Sequence, residues 1–193
     1  MDIHQQISQR IRELRMARGY TLEELAARSE VSRAMISMIE RATANPTAVV
    51  LDKLANGLDV SLASLFTGTK APTPFNPLLR HAEQPVWQDP ESAYIRRSLT
   101  PQGEASSTQL VEVLFPAQGR VTYDVPQRNH SIQQQIWIIA GQLDIQLGEQ
   151  TYQLNQGDCL AICLDRPIIF SNPKAEPCHY ILAIEATKSS INT

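Results

Sequence analysis

Two hydrophobic periodicities divide this chain of 193 residues. Between residues 3 and 66, apolar side chains recur every three or four positions, which is the spacing of one helix face. Gly19 and Gly57 supply helix stops, and Thr21 followed by Glu24 has the pattern of a capping box. This half of the chain predicts five short helices.

From about residue 94 the period becomes two. Short apolar runs such as QLVEVLF, QQIWIIA and CLAICL are separated by glycines at 119, 141, 148 and 157. Regular short strands with turn signals between them are typical of an all-β sandwich or barrel. The pattern therefore predicts an α + β protein of two domains, with helices first and strands second.

A proline-rich stretch separates the two halves. Residues 69–93 change in composition, with prolines closely spaced, and they predict a linker that Phe75, Leu78 or Trp87 pins to the second domain. We therefore place a helical domain at 1–68, the linker at 69–93 and a strand domain at 94–193.

Composition excludes several classes of protein. The chain is 42% hydrophobic and 19% charged with a net charge of −3, so a disordered chain is excluded. No apolar run approaches the ~20 residues that cross a bilayer, and the N-terminus lacks the apolar core of a secretory signal. We expect a cytoplasmic protein with no membrane partner. Three cysteines, an odd number, fit reduced thiols rather than a disulfide framework.

The charge of the first domain is balanced but unevenly composed. Residues 1–68 hold 8 basic and 8 acidic side chains, and seven of the basic ones are arginines. Arginine suits bidentate contacts with phosphate and guanine. The balanced net charge of residues 1–68 does not by itself favour a nucleic-acid partner, but the predominance of arginine among the basic side chains permits one.

Two of the predicted helices, 22–29 and 33–40, meet through a tight turn at Glu30-Val31. In a helix-turn-helix, the second helix turns one face to the core and the other to a major groove. Ile36, Ile39 and Glu40 fall on the inner face of the second helix. The positions predicted to contact DNA bases or phosphates are Thr21, Ser32, Arg33, Ala34, Ser37, Met38, Arg41 and Thr43.

Residues 7–66 resemble the lambda-repressor-like, XRE family of regulators. The match rests on motif positions in register that include Leu25-Ala26, Val31-Ser32 and Ile36-Ser37. Glu30 stands where a turn glycine is common, and Ala42 or Thr43 replaces the glycine that often follows the recognition helix. The resemblance implies DNA binding and a buried ion pair between Arg15 and Glu40. The alternative is a helical bundle that binds protein.

Residues 105–186 resemble the cupin family, through QIWIIAGQLDIQLGEQTYQLNQGD and the later LDRPIIFSNP. The resemblance implies a double-stranded β-helix barrel. Carried across position by position, the four metal ligands of that family become Arg128, His130, Gln134 and Ile168. Arginine cannot ligate and isoleucine has no donor atom. We therefore expect no metal-dependent chemistry, no enzyme activity and no required cofactor.

The same four positions suggest a binding site instead. Residues 128, 130 and 134 share strand parity and should point together into the barrel, with Ile168 as an apolar neighbour. Arg128, His130 and Gln134 would suit a carboxylate-bearing effector such as an amino acid. Two alternatives stay open: Arg128 lies in water at the rim, or zinc is held by His130, Cys163, Cys178 and His179.

Together these observations predict a sequence-specific transcriptional regulator that binds double-stranded DNA and senses a small effector. A DNA-tethered metal-dependent cupin enzyme and a cupin that serves only as a dimerisation scaffold are the alternatives. A single small helix-turn-helix rarely supplies enough specific affinity alone, so a homodimer held by the strand domain is expected.

Overall fold

The computed structural model describes residues 2–66, 76–101, 108–124 and 130–188. These residues fall into two compact units. One unit lies within Met1–Leu78 and Pro101–Glu104, and the other lies within Leu79–Thr100 and Ala105–Thr193. The first is helical and the second is built from strands, in agreement with the change of hydrophobic period near residue 94.

The helical unit holds four α-helices in its described residues, rather than the five helices that the pattern predicts. The fifth segment, Leu62–Leu65, is a 3-10 turn that Ser61 caps through the Ser64 amide. The segment from Ser61 to Phe66 forms a single turn. Its backbone hydrogen bonds join residues three positions apart, which is the pattern of a 3-10 helix. The α-helices are α1 Ile3–Ala17, α2 Leu22–Ser29, α3 Arg33–Glu40 and α4 Ala48–Gly57.

The apolar stripes of these helices meet in one core. Ile11, Leu25, Ile36 and Leu54, one from each α-helix, are fully buried. Helix α4 ends at Gly57, where a β-carbon would come within 2.8 Å of the β-carbon of Ser29. The glycine therefore permits the close approach of α2 and α4. None of the helices in the described ranges combines the length and apolar character that crossing a bilayer requires.

The described strands of the second unit form two antiparallel sheets. The six-stranded sheet has the order β1-β2-β3-β10-β5-β8, and the four-stranded sheet has the order β4-β9-β6-β7. The strands are β1 Val86–Gln88, β2 Ile95–Ser98, β3 Thr108–Phe115, β4 Arg120–Tyr123, β5 His130–Ala140, β6 Gln142–Leu147, β7 Gln150–Asn155, β8 Cys159–Cys163, β9 Ile168–Ser171 and β10 Cys178–Lys188.

The two sheets share one apolar interior. Ile132, Ile136 and Ile138 alternate along β5 as buried side chains, whereas Trp137 between them is exposed. Phe170 of the four-stranded sheet stacks on Tyr180 of the six-stranded sheet, with ring centroids 6.4 Å apart. The even-numbered positions of β5 from 132 to 138 therefore face the interior, and Gln133, Gln135 and Trp137 lie on the outer surface of the six-stranded sheet.

One strand lies inside the predicted linker. Strand β1 pairs with β2, so residues 86–88 belong to the strand unit. Trp87 is almost fully buried there, while Leu78 is half exposed and Phe75 lies outside the described residues. A three-residue strand is too short to produce a period of two, and the prolines around it obscured it.

Candidate nucleic-acid interface and sheet interior

The helix-turn-helix is built by two capped helices and a left-handed turn residue. The Thr21 hydroxyl accepts a hydrogen bond from the Glu24 amide, and the Glu24 carboxylate accepts one from the Thr21 amide at 2.7 Å. Glu30 ends α2 with φ of 55°, and Ser32 caps α3 through the Met35 amide. These local devices fix where α3 begins.

Helix α3 has one buried face and one solvent-exposed face, which we call the bare face. Ile36 and Ile39 are inaccessible to solvent and pack into the core. The opposite face carries the exposed predicted residues Ser32, Arg33, Ala34 and Met38, with Ser37 half-buried beside them. Met35 is also exposed on this helix and was not among the predicted DNA-contacting positions. The bare face holds the mixture of hydrogen-bonding and methyl-contacting groups that base edges require.

The polar side chains of this face are held in place. Arg41 donates to the Ser37 hydroxyl at 2.6 Å, and the Thr43 hydroxyl donates to the Met38 carbonyl at 3.0 Å. The Nε of Arg33 lies 2.5 Å from the Glu23 carboxylate of α2, and both side chains are largely exposed. Sequence reasoning missed Glu23, since only the packing of α2 against α3 brings it to Arg33.

Arg15 on α1 and Glu40 at the end of α3 form an ion pair. Two hydrogen bonds join them, from Arg15 Nε to Glu40 Oε1 at 2.6 Å and from Nη2 to Oε2 at 2.8 Å. A third runs from Nη1 to the Tyr20 carbonyl at 2.8 Å. The hydrogen bond with Glu40 raises the pKa of Arg15 despite its partial desolvation. The pair connects the end of the recognition helix to α1.

The interior of the strand unit contains part of the predicted effector set. Gln134 is half-buried on the inward face of β5, and its Oε1 is buried with no hydrogen-bond partner in the described structure. Ile168 is buried in the facing sheet. His130 begins β5, and Arg128 lies outside the described residues.

The residues at the cupin ligand positions do not fit a metal. Ile168 offers no donor atom, and the Gln134 amide is a poor substitute for a carboxylate. In the described ranges, no three His, Cys, Asp or Glu side chains group closely enough to hold an ion.

The alternative zinc set does not converge either. Cys178 is buried, whereas His179, the next residue on β10, contacts Glu112 on the outer face at 2.9 Å. Consecutive strand residues point to opposite faces, so these two cannot share one ion. Cys163 is exposed. Burial raises the pKa of the Cys178 thiol to about 11.

Relatives of the chain were found by sequence and by fold. A helix-turn-helix family model, HTH_3, matches residues 11–65. The chain is 26% identical over 183 residues to the HTH-type transcriptional regulator SutR of Escherichia coli (strain K12), covering 95% of this chain and 96% of that protein. It is 40% identical over 75 residues to the uncharacterized HTH-type transcriptional regulator y4dJ of Sinorhizobium fredii, covering 39% of this chain and 96% of that protein.

The fold extends the likeness beyond the helical unit. The crystal structure of an HTH_3 family transcriptional regulator from Vibrio cholerae matches with a TM-score of 0.75 at 23% identity, over 95% of this chain and 96% of that one. Its match therefore covers both the helical and the strand-rich parts. With the capped helix pair and the bare face of α3, these likenesses assign the chain to the XRE-type helix-turn-helix family of DNA-binding transcriptional regulators.

Proposed function

We propose that this regulator reads operator DNA with the bare face of α3. Ser32, Arg33, Ala34, Ser37 and Met38 would face the major groove, while Thr21, Arg41 and Thr43 would contact phosphates. The observation that carries this proposal is the division of α3 into a fully buried face and a face of exposed, short or hydrogen-bonding side chains.

The test compares two arginines of the helical unit. The operator is first selected from random duplex DNA with the wild-type protein. Arg33→Ala should then weaken binding to it by ~1–3 kcal/mol, whereas Arg12→Ala makes the same charge change at an exposed position on α1 and should cost far less. Equal losses for both variants, or no enriched motif in the selection, would refute base reading by α3.

The proposed regulator is a homodimer, because two recognition helices can address half-sites about one DNA turn apart, ~34 Å. Its proposed interface is the outer face of the six-stranded sheet. Leu110, Leu114 and Trp137 are exposed there, with Trp137 at 50%. This face also carries Arg97 and Glu112, which pair at 3.0 Å. An apolar surface with charges of both signs suits a second copy of itself across a two-fold axis.

Sedimentation of the full chain tests this interface. Trp137→Glu should convert a dimer to a monomer, since it places an unpaired charge in the apolar contact. Thr151→Glu, at an exposed position on β7 of the other sheet, is the matched control and should remain dimeric. A wild-type protein that sediments as a monomer at micromolar concentration, or a dimeric Trp137→Glu variant, would contradict the proposal.

The strand unit, closed as a cupin-type barrel, is proposed to sense a small metabolite that bears a carboxylate, such as an amino acid. Arg128, His130 and Gln134 would bind its polar groups and Ile168 would contact its apolar part. The buried Gln134 Oε1 without a hydrogen-bond partner supports a ligand here, because an ammonium group would satisfy it. Binding through these residues would need no metal, and the role proposed for the chain is that of a sensor rather than of an enzyme.

Thermal unfolding in the presence of amino acids tests this assignment. A carboxylate ligand should raise the temperature of the unfolding midpoint equally with and without a chelator. Gln134→Ala should weaken the binding of that ligand several-fold. Gln133→Ala, one position away on the outer face, is the control. A midpoint that no carboxylate shifts would count against effector sensing, and a shift abolished by the chelator would favour a metal site.

A further inference from the structure

The outer face of the six-stranded sheet carries two hollows, displaced to opposite sides of the central strand β10. The first hollow has a volume of about 240 Å³ and lies over β2, β3 and β10. Its lining residues are Ile95, Arg97, Glu112, Leu114 and His179. The second hollow has a volume of about 350 Å³ and extends from β10 across β5 to β8. Its lining residues on this face include Gln135, Ala161, Ala183 and Glu185.

One large side chain projects beside the first hollow. Trp137 on β5 is 50% exposed. It pairs in register with Ile181 on β10, and Ile181 pairs on its other side with Glu112 of the first hollow. Trp137 and the first hollow therefore lie on opposite sides of β10, at the same level along the strands.

Leu110 stands in the same relation to the second hollow. This residue of β3 is 42% exposed and pairs in register with Ala183 on β10. On the far side of Ala183, the row continues through Gln135 of β5 to Ala161 of β8. Each of the two projecting side chains thus has a hollow opposite it across β10, at its own level along the strands.

A single two-fold axis would bring each side chain to the hollow of a second copy. Consider two outer faces packed together, with the axis between them running along β10. The rotation moves a point over β5 of one copy to a point over β3 of the other and keeps its level along the strands. Trp137 then meets the partner's first hollow, and Leu110 meets the partner's second hollow. An isologous interface requires this reciprocity.

The first hollow is suited to an indole ring rather than to an ion. Arg97 Nε donates to Glu112 Oε2 at 3.0 Å, and His179 Nε2 lies 2.9 Å from Glu112 Oε1. The Glu112 carboxylate therefore compensates the Arg97 charge within one copy, and a small ion would gain little there. A guanidinium bonded through its edge can still stack its face on an aromatic ring, while Ile95 and Leu114 supply apolar walls.

From this complementarity we propose that two copies interlock through their outer sheets about an axis along β10. Trp137 of each copy fills the partner's first hollow against Arg97, and Leu110 lies over the partner's Ala161. Ile181, beneath the axis, faces its own copy. The proposal rests on the proposed homodimer and adds the direction of its axis and the residues that meet. A buried tryptophan in a fitted pocket is the type of contact that dominates the affinity of an interface.

A double-mutant cycle on the dissociation constant of the dimer tests the first contact. Within one copy, Trp137 and Arg97 are three strands apart, about 14 Å at the usual strand spacing, so coupling between them reports a contact between copies. Trp137→Ala should raise the dissociation constant at least about thirtyfold, and Arg97→Met at least about fivefold, since each contact occurs twice. The double variant should lose little more than Trp137→Ala alone. Arg120→Met, at an exposed position on β4 of the other sheet, is the control and should be additive with Trp137→Ala.

An exchange of side chains tests the second contact. Ala161→Leu fills the second hollow and should weaken the dimer about tenfold or more. Leu110→Ala shortens the side chain that enters it and should weaken the dimer several-fold. The combined variant moves the leucine to the other side of the contact, so it should dimerise more tightly than Ala161→Leu alone. In one copy these residues are also three strands apart, so this rescue reports a contact between copies.

Sedimentation of the full chain over a range of concentrations measures every dissociation constant. If Trp137→Glu is monomeric but the cycle is additive or the exchange gives no rescue, the copies meet through this face in another orientation. The inference then fails alone, and the proposed interface stands. A wild-type protein that remains a monomer, or a dimeric Trp137→Glu variant, overturns the inference and the proposed interface together.

Discussion

The guanidinium of Arg15 meets the carboxylate of Glu40 edge to edge, with two parallel hydrogen bonds of 2.6 and 2.8 Å. Their side chains are only 14% and 8% exposed. The two residues are 25 positions apart, so this pair fixes the end of α3 to α1 across the core. Such geometry makes the pair strongly directional and costly to break from one side.

Removal of one partner should therefore be expensive. Glu40→Ala should lower the free energy of unfolding by about 3 kcal/mol, because it leaves the Arg15 charge partly buried without its carboxylate. Asp165→Ala, which breaks the exposed pair with Arg166, should cost far less, because solvent screens that pair. Urea denaturation measures both. A Glu40→Ala variant as stable as Asp165→Ala would mean that the pair contributes little.

Glu23 should act as a competitor of DNA for Arg33. Glu23→Gln removes a carboxylate 2.5 Å from the Arg33 Nε and should strengthen operator binding about three- to tenfold at low salt. Glu13→Gln, the same charge change on α1, should have a smaller effect. Titration of labelled operator at several salt concentrations checks this, and an unchanged affinity for Glu23→Gln would contradict it.

At position 30, in the turn before α3, glycine should give a more stable protein than the native glutamate. Glu30 has φ of 55°, a conformation that glycine adopts without strain. Glu30→Gly should stabilise the protein by about 1 kcal/mol. Ala27→Gly, inside α2, should destabilise it by a similar amount. Two shifts of the same sign in chemical denaturation would show that backbone conformation does not decide the effect.

The packing of α2 on α4 should reverse the usual effect of a glycine-to-alanine change. Helix propensity alone favours Gly57→Ala by at most about 1 kcal/mol. The added methyl group would lie 2.8 Å from the Ser29 β-carbon and 3.0 Å from its amide nitrogen, so we expect a net loss of stability. Ser29→Gly in the same chain should recover part of it. A gain in melting temperature for Gly57→Ala alone would overturn the steric argument.

Stability should fall at alkaline pH through Cys178. Its pKa is about 11 in the folded protein because of burial, and about 8.5 in an unfolded chain. The folded state therefore holds this proton more tightly. The contribution is complete below about pH 8.5 and is lost as pH rises toward 11, at up to about 1.4 kcal/mol per pH unit. Cys178→Ala should flatten the slope of unfolding free energy against pH between about 8.5 and 11, and an unchanged slope would contradict the prediction.

The hydrophobic pattern predicted those helices and strands that are long enough to show a period. Strand parity puts Gln134 in line with the buried Ile132 and Ile136 of β5, and the helical stripes predicted α1 to α4. A period of three to four could not separate the 3-10 turn at Leu62–Leu65 from a fifth α-helix. Strand β1 was missed because three residues carry no period.

The sites depended more on contacts between distant segments. The burial of Arg96, which is 4% exposed, was not predicted, because a hydropathy pattern treats every arginine as an outward residue and the stretch Tyr94 to Ser98 allows either arginine to face inward. Only the pairing of β2 with β1 and β3 decides between them. The zinc alternative failed for the related reason that Cys178 and His179 are neighbours in sequence but lie on opposite faces of β10.

The two tryptophans of the chain occupy opposite environments, since Trp87 is 1% exposed and Trp137 is 50% exposed. Indole fluorescence shifts to shorter wavelength in dry surroundings and is quenched by iodide when water reaches the ring. The protein therefore contains two separable optical reporters, one quenchable and one protected. Emission from Trp137 should change when a partner covers the outer face of the six-stranded sheet. Emission from Trp87 should change only when the strand unit itself unfolds.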